Sequence, residues 1–179
     1  PMVAADFHKS DGVHLASLLA ALTGQQYAVG SAEGVRVLRP GQAQGVLRGG
    51  CLSLLVATLG TPYAAALEDG LVFLEDVGAK PYQVDRMLRQ LLQAGKLQGV
   101  RGIIFGEMLD CVSPAAGDRL LEDVILRVLD GFPGPIAIGL RSGHVSHGNV
   151  TLCFGAEARL ELTKSAAPAL YFPEPAWNG

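Results

Sequence analysis

The side chains best suited to moving protons lie at two places in the chain. Glu75 and Asp76 follow directly on an apolar run, Leu71-Val72-Phe73-Leu74. His144 and His147 lie in a polar, glycine-punctuated stretch, RSGHVSHGN, that follows a second apolar run, PIAIGL at 135–140. Apolar strands hold charged side chains still at their ends, and ligands of open α/β sheets gather at strand carboxyl ends. If the two runs are parallel strands, a carboxylate and an imidazole meet at one sheet edge. There the acid fixes the ring's tautomer and stabilises its charged form, as in a nucleophile–His–acid triad. Unpaired, Glu75-Asp76 is simply a solvated acidic turn. Consecutive strand residues point to opposite faces, so only one of the two acids can readily aim at the ring, and periodicity leaves open which.

An attacking group is harder to find. Ser142 and Ser146 flank His144, but a serine two positions away in a loop rarely has the geometry to be activated by it. No Gly-x-Ser-x-Gly elbow occurs in the sequence. Cys153 falls in an expected strand, where a buried thiol is inert. His144-x-x-His147 could bind zinc with Cys111, Cys153 or Glu75, yet two loop histidines without a helical i, i+4 register are a weak zinc signal. His8 and His14 lie near no other candidate. Gly49-Gly50 before an apolar helix could face an anion with helix amides, but the lysine of a phosphate loop is missing, so a tight turn is the simpler reading.

The elements that must position these residues follow from period and punctuation. Ser10-Asp11 can cap a helix whose Leu15, Leu18, Leu19 and Leu22 share one face, and Gly24 can end it. Between 25 and 48, short runs at 27–29, 35–38 and 43–47, separated by Gly and Pro, read as strands in two hairpin-like pairs. CLSLLVATLG reads as a short helix. The strand at 71–74 leads into a helix whose inner face is Val84, Met87, Leu88, Leu91 and Leu92. A strand over 100–109 ends at Asp110, and a helix over about 115–129 turns Leu121, Val124, Ile125 and Val128 inward. This alternation of strand and helix predicts an α/β fold with a mainly parallel sheet and right-handed crossovers. Strands over 150–154 and 159–163 close the domain, and a tail rich in Pro and Ala starts at 166.

Composition narrows the function classes. The chain has 179 residues, 49% hydrophobic and 17% charged, with net charge −3. That is enough for a substantial core, and with no basic block in the sequence it argues against a nucleic-acid or anionic-membrane surface. No apolar run reaches the ~18 residues that a bilayer span needs. The three cysteines are far apart and odd in number, as expected of reduced thiols in a cytoplasmic protein. The chain opens on Pro1, without an initiator Met, and reads as a fragment of a longer protein.

Several motifs, in order, resemble one family: GGCLSLL at 49–55, FLEDV at 73–77, PYQVDRML at 81–88, SGH at 142–144 and NVTL at 149–152. Together they are similar to the C-terminal half of LD-carboxypeptidases, serine peptidases that remove the terminal D-Ala from murein tetrapeptides in the bacterial cytoplasm. The likeness runs over residues 1 to about 162. The resemblance implies a swivelling β/β/α-type domain at 25–165, with 1–24 as bridge and first helix leading from an N-terminal domain that carries the nucleophilic Ser, and 166–179 as tail. It places the triad's acid on Glu75 and its base on His144, and gives Asp85 and Arg86 a structural role, tying helix to loop by charge. It implies no cofactor and no metal; the partners are the murein tetrapeptide, the N-terminal domain and, as the family allows, a second copy in a homodimer. Cys51 stands where the family usually shows Asn, and a thiol cannot supply an amide's donors and acceptor. The fragment alone is expected to be inactive. A microcin-immunity-type peptidase acting on peptidyl or aminoacyl nucleotides with the same triad, and a non-catalytic binding or dimerisation module, are the alternatives.

Overall fold

A computed structural model describes residues 7–112, 117–163 and 167–173. Eight strands are hydrogen-bonded in the order β1-β8-β7-β3-β4-β5-β6-β2. The centre is parallel: β3 (Gly41–Cys51), β4 (Leu71–Glu75), β5 (Gly102–Gly106) and β6 (Ile136–Leu140) run together, as the alternating pattern predicts. The flanks are antiparallel, with β2 (Arg36–Arg39) on β6, β7 (Glu157–Leu162) on β3, β8 (Ala169–Phe172) on β7 and β1 (Tyr27–Gly30) on β8. Strand β3 belongs to two sheets. Its first part, Gly41 to Val46, pairs with β7, and its second, Leu47 to Cys51, pairs with β4.

Alternation along the central strands then makes three layers. Val72 and Leu74 of β4, Ile103 and Phe105 of β5, and Ile136 and Ile138 of β6 pack with the helices α3 (Pro81–Gln93) and α4 (Gly117–Val128). The residues between them, Leu71, Phe73, Ile104 and Ala137, pack against Ala158, Leu160, Leu162, Leu170 and Phe172 of the second sheet. Sheet, sheet and helix layers therefore share the buried strands β4 and β5, which are covered on both faces. This explains why they read as unbroken apolar runs rather than alternating ones.

Local signals decide the helix ends. Pro81 opens α3, and the Gln83 side chain accepts from the Lys80 amide at 2.8 Å, satisfying a donor the helix leaves free. Helix α1 (Leu15–Thr23) ends at Gly24 in the left-handed conformation, φ 68°. Helix α2 (Leu52–Ala57) is the short apolar helix after Gly49-Gly50.

Several expectations fail for physical reasons, among them the Ser10-Asp11 cap, since α1 starts at Leu15 with His14 as its N-cap. The runs at 27–30 and 36–39 form strands but not hairpins, because each finds a long-range partner in β8 or β6. Residues 150–154 are irregular apart from the lone bridge between Val13 and Asn149 beside them, and the last strand comes instead from 169–172 in the Pro/Ala-rich tail. The strand expected over 100–109 is shorter, ending at Gly106, after which Met108 and Asp110 take positive φ. Helix α1 has the expected apolar stripe, but Leu15, Leu19 and Leu22 are 61%, 50% and 66% exposed, while Ser17 and Ala20 face inward. The helix packs through small residues because Ser17 is hydrogen-bonded to backbone on either side of it: its Oγ donates to His14 O and accepts from Thr151 N.

Candidate active site

Period 2 along β4 separates the two acids. Glu75 continues the Leu71–Phe73 face, toward the loop after β6. Asp76 turns the other way, and its carboxylate accepts from Ser53 N and Val77 N, both at 2.9 Å. It thereby caps α2 from a distant strand end, satisfying one of the amides left free at that helix start. Both acids are buried, but only Glu75 reaches an imidazole.

Glu75 Oε2 lies 2.9 Å from His144 Nδ1 and accepts the His144 backbone N–H at 3.0 Å. One carboxylate oxygen thus fixes both the ring and the peptide that carries it. The Glu75 side chain is 6% exposed and that of His144 34%. An ionised Glu75 can only accept, which assigns the proton to Nδ1 and, in a neutral ring, leaves the lone pair on Nε2.

Two glycines make room for this. Gly143, at φ +91°, has no Cβ; one built there would lie 2.5 Å from Glu75 Cγ. Gly49 lets β3 approach β4, since a Cβ there would lie 1.9 Å from Phe73 O. The next residue but one, Cys51, is in register with Glu75 and borders the same cavity. That cavity, about 490 Å³, is walled by Leu54, Phe73, Leu152 and Phe154 and reaches Glu75 and His144. Leu54 and Phe154 are exposed at its rim, and the Phe154 ring meets Phe73 edge-on at 6.0 Å.

The remaining candidates fall elsewhere. Ser142 Oγ donates to Val150 O, and Ser146 Oγ pairs with His147 Nδ1, so neither hydroxyl is hydrogen-bonded to His144. His147 lines a separate charged cavity with Glu107, Arg36 and Arg141. Among the described residues, no three His, Cys, Asp or Glu side chains are grouped to hold a metal ion. Cys111 is buried, and desolvation pushes its thiol up to about 11. Cys153 lies outside any strand, half-buried, with the Tyr27 hydroxyl 3.6 Å away. His14 is the N-cap of α1, its Nδ1 facing Ser17 N at 3.4 Å. Asp85 is structural, but it ties helix to helix rather than helix to loop, pairing with Arg89 on its own helix and Arg127 on α4. Those guanidinium groups hold the Asp85 carboxyl below its usual range.

Sequence reasoning gave no role to Asn149, whose buried side chain hydrogen-bonds both N–H and C=O of Gly143. It also overlooked Glu107, which accepts from Ser146 N at 3.0 Å. The only signal for Asn149 was a polar residue between Gly148 and the apolar Val150, inside a motif already noted.

The fold and this geometry define a class: a layered α/β domain presenting a carboxylate–imidazole pair, its acid buried and its ring partly exposed, at the carboxyl end of a parallel sheet. Residues 44–160 match the LD-carboxypeptidase C-terminal domain family. A candidate carboxypeptidase of Streptomyces coelicolor is 41% identical over 69% of this chain and 39% of its own length. The probable murein peptide carboxypeptidase of Bacillus subtilis is 38% identical over 73% of this chain and 41% of its own. The crystal structure of muramoyltetrapeptide carboxypeptidase from Oxalobacter formigenes superposes with TM-score 0.78 at 26% identity, covering 98% of this chain and 60% of that one. The chain belongs to the LD-carboxypeptidase family, as its C-terminal domain, and spans about two fifths of the length of these curated relatives.

Proposed function

We propose that this chain is the C-terminal half of a serine-type LD-carboxypeptidase, supplying Glu75 and His144 to a Ser–His–Glu triad whose serine lies on a preceding domain. The observation that carries the reading is the 2.9 Å contact between Glu75 Oε2 and His144 Nδ1, made at the edge of a cavity. The substrate is a murein tetrapeptide, from which the whole enzyme releases the terminal D-Ala in the cytoplasm. The names of the Bacillus and Oxalobacter relatives support that substrate class.

In this mechanism His144 Nε2 takes the serine proton as the hydroxyl attacks the carbonyl before D-Ala. The resulting imidazolium is held by Glu75 through Nδ1. It returns the proton to the departing D-Ala amine, leaving an acyl-serine. A water then gives its proton to Nε2, attacks the ester, and frees the serine. Each half of the triad is inert alone, so the 179-residue chain does not turn over substrate. Residues 1–24 bridge the two halves.

The test is hydrolysis of a murein tetrapeptide by the full-length natural protein. His144→Ala and Glu75→Ala each lower kcat by about 10⁴-fold or more. Turnover near that of the unmodified protein in either variant ends the assignment. Hydrolysis of an aminoacyl sulfamoyl adenosine in place of the tetrapeptide redirects it to a microcin-immunity-type activity on the same triad.

A further inference from the structure

His144 is held from two sides, and only one of them is the acid. The loop that carries it leaves β6 at Leu140 and returns at Val150. Its neck is closed by Val150 N donating to Arg141 O at 2.7 Å and by Ser142 Oγ donating to Val150 O at 2.8 Å. Inside the loop, Asn149 Oδ1 accepts from Gly143 N at 3.3 Å and Asn149 Nδ2 donates to Gly143 O at 2.9 Å. Asn149 is 2% exposed. The Gly143 carbonyl belongs to the same planar peptide as the His144 N–H, which donates to Glu75. That peptide is therefore clamped between an amide and a carboxylate.

The backbone of Asn149 is in turn held by the start of the chain. Asn149 N donates to Gly12 O at 2.8 Å, His14 N donates to Asn149 O at 3.0 Å, and Gly148 N donates to Asp11 O at 2.6 Å. Ser17, buried on α1, accepts from Thr151 N at 3.0 Å. A continuous path of hydrogen bonds runs from residues 11–17 through Asn149 and Gly143 to the peptide of His144.

We infer that Asn149 is a positioning residue for His144, and that it sets the ring according to how residues 11–17 lie against the loop. This rests on the Glu75–His144 pairing and on the bridging role of residues 1–24 proposed above. In the two-domain arrangement, residues 11–17 are part of the bridge, so the placement of the serine-bearing half is felt at the ring that must serve it. An amide suits the task because it offers a donor and an acceptor side by side, matching the C=O and N–H of one glycine. Asp lacks the donor, and Ala lacks both.

The test follows the Nδ1–H proton of His144 by NMR in the ring-labelled 179-residue chain, with kinetics on the full-length protein alongside. In the unmodified chain the proton is protected from exchange with water, and Glu75→Ala abolishes the protection. Asn149→Ala speeds its exchange at least about tenfold and lowers kcat by about 10- to 100-fold with KM within twofold, as expected for a ring displaced by a fraction of an ångström. Asn149→Asp, nearly the same shape, does the same at neutral pH and decides the matter if Asn149→Ala does not fold. Ser17→Ala speeds exchange by a smaller factor. Unchanged exchange in folded Asn149→Ala or Asn149→Asp, with Glu75→Ala still deprotecting the proton, overturns the inference about Asn149 alone. Unchanged exchange in Ser17→Ala removes the link to the bridge. No protected proton in the unmodified chain, or one indifferent to Glu75→Ala, defeats the pairing and this inference together.

Discussion

Gly143→Ala isolates the fit between the loop and the acid. The new methyl would sit 2.5 Å from Glu75 Cγ, 2.6 Å from Cδ and 2.7 Å from Oε2, all inside van der Waals contact. Either the loop or Glu75 must shift by roughly 1 Å to restore ordinary C–C contact of about 3.5–4.0 Å. Glu75 is also packed closely against β5, since a Cβ on Gly106 would stand 2.8 Å from Glu75 Cβ. The shift therefore falls on the two hydrogen bonds to His144. Placing alanine at φ +91° adds about 1–2 kcal/mol, and weakening hydrogen bonds to a buried carboxylate adds about 1–3 kcal/mol. A total of about 2–5 kcal/mol lowers Tm by roughly 5–20 °C in a chain of this size. For the proposed tetrapeptide hydrolysis by the full-length protein, the expected fall in kcat is at least about 100-fold. Gly78→Ala is the control, because Gly78 has φ +69° but open space where a Cβ would go, so only the conformational cost of about 1–2 kcal/mol applies. Thermal unfolding of both variants, with tetrapeptide hydrolysis, compares them. If Gly143→Ala melts within a degree or two of Gly78→Ala and keeps its turnover, the carboxylate is not held where it is described.

Two further outcomes follow from other contacts. Asp76→Asn keeps one acceptor for the Ser53 and Val77 amides but brings an NH₂ against donors; stability measured by urea unfolding falls by about 1–3 kcal/mol. The folded Cys111 thiol ionises at about 11 against an ordinary 9.0, so burial favours its neutral form. Its contribution is whole below pH 9 and is lost as pH rises from 9 to 11, where the unfolded thiol ionises and the folded one does not. Stability over that window therefore declines less steeply in Cys111→Ala than in the unmodified chain, as pH-dependent denaturation measures.

The sequence alone determined the parts whose signals are local. Apolar runs longer than an alternating pattern allows marked β4, β5 and β6 as strands covered on both faces, and strand–helix alternation made them parallel. Pro81 and Gly24 marked helix ends by backbone chemistry that no distant contact overrides. Glu75 and His144 stood out because each follows such a run. Tertiary structure decided what depends on which segment lies beside which. Strands at 27–30 and 36–39 carry no mark of their partners, since pairing is made by backbone groups that every residue shares, and their partners lie more than a hundred and about a hundred residues away. The apolar stripe of α1 was legible, yet its burial was not, because period gives a face without saying what covers it. Period alone left Glu75 and Asp76 open and the family resemblance pointed to Glu75, but that this acid touches the ring depends on which sheet face meets the loop after β6. Asn149 acquires its role only when the loop closes and brings it within hydrogen-bonding distance of a glycine six residues earlier.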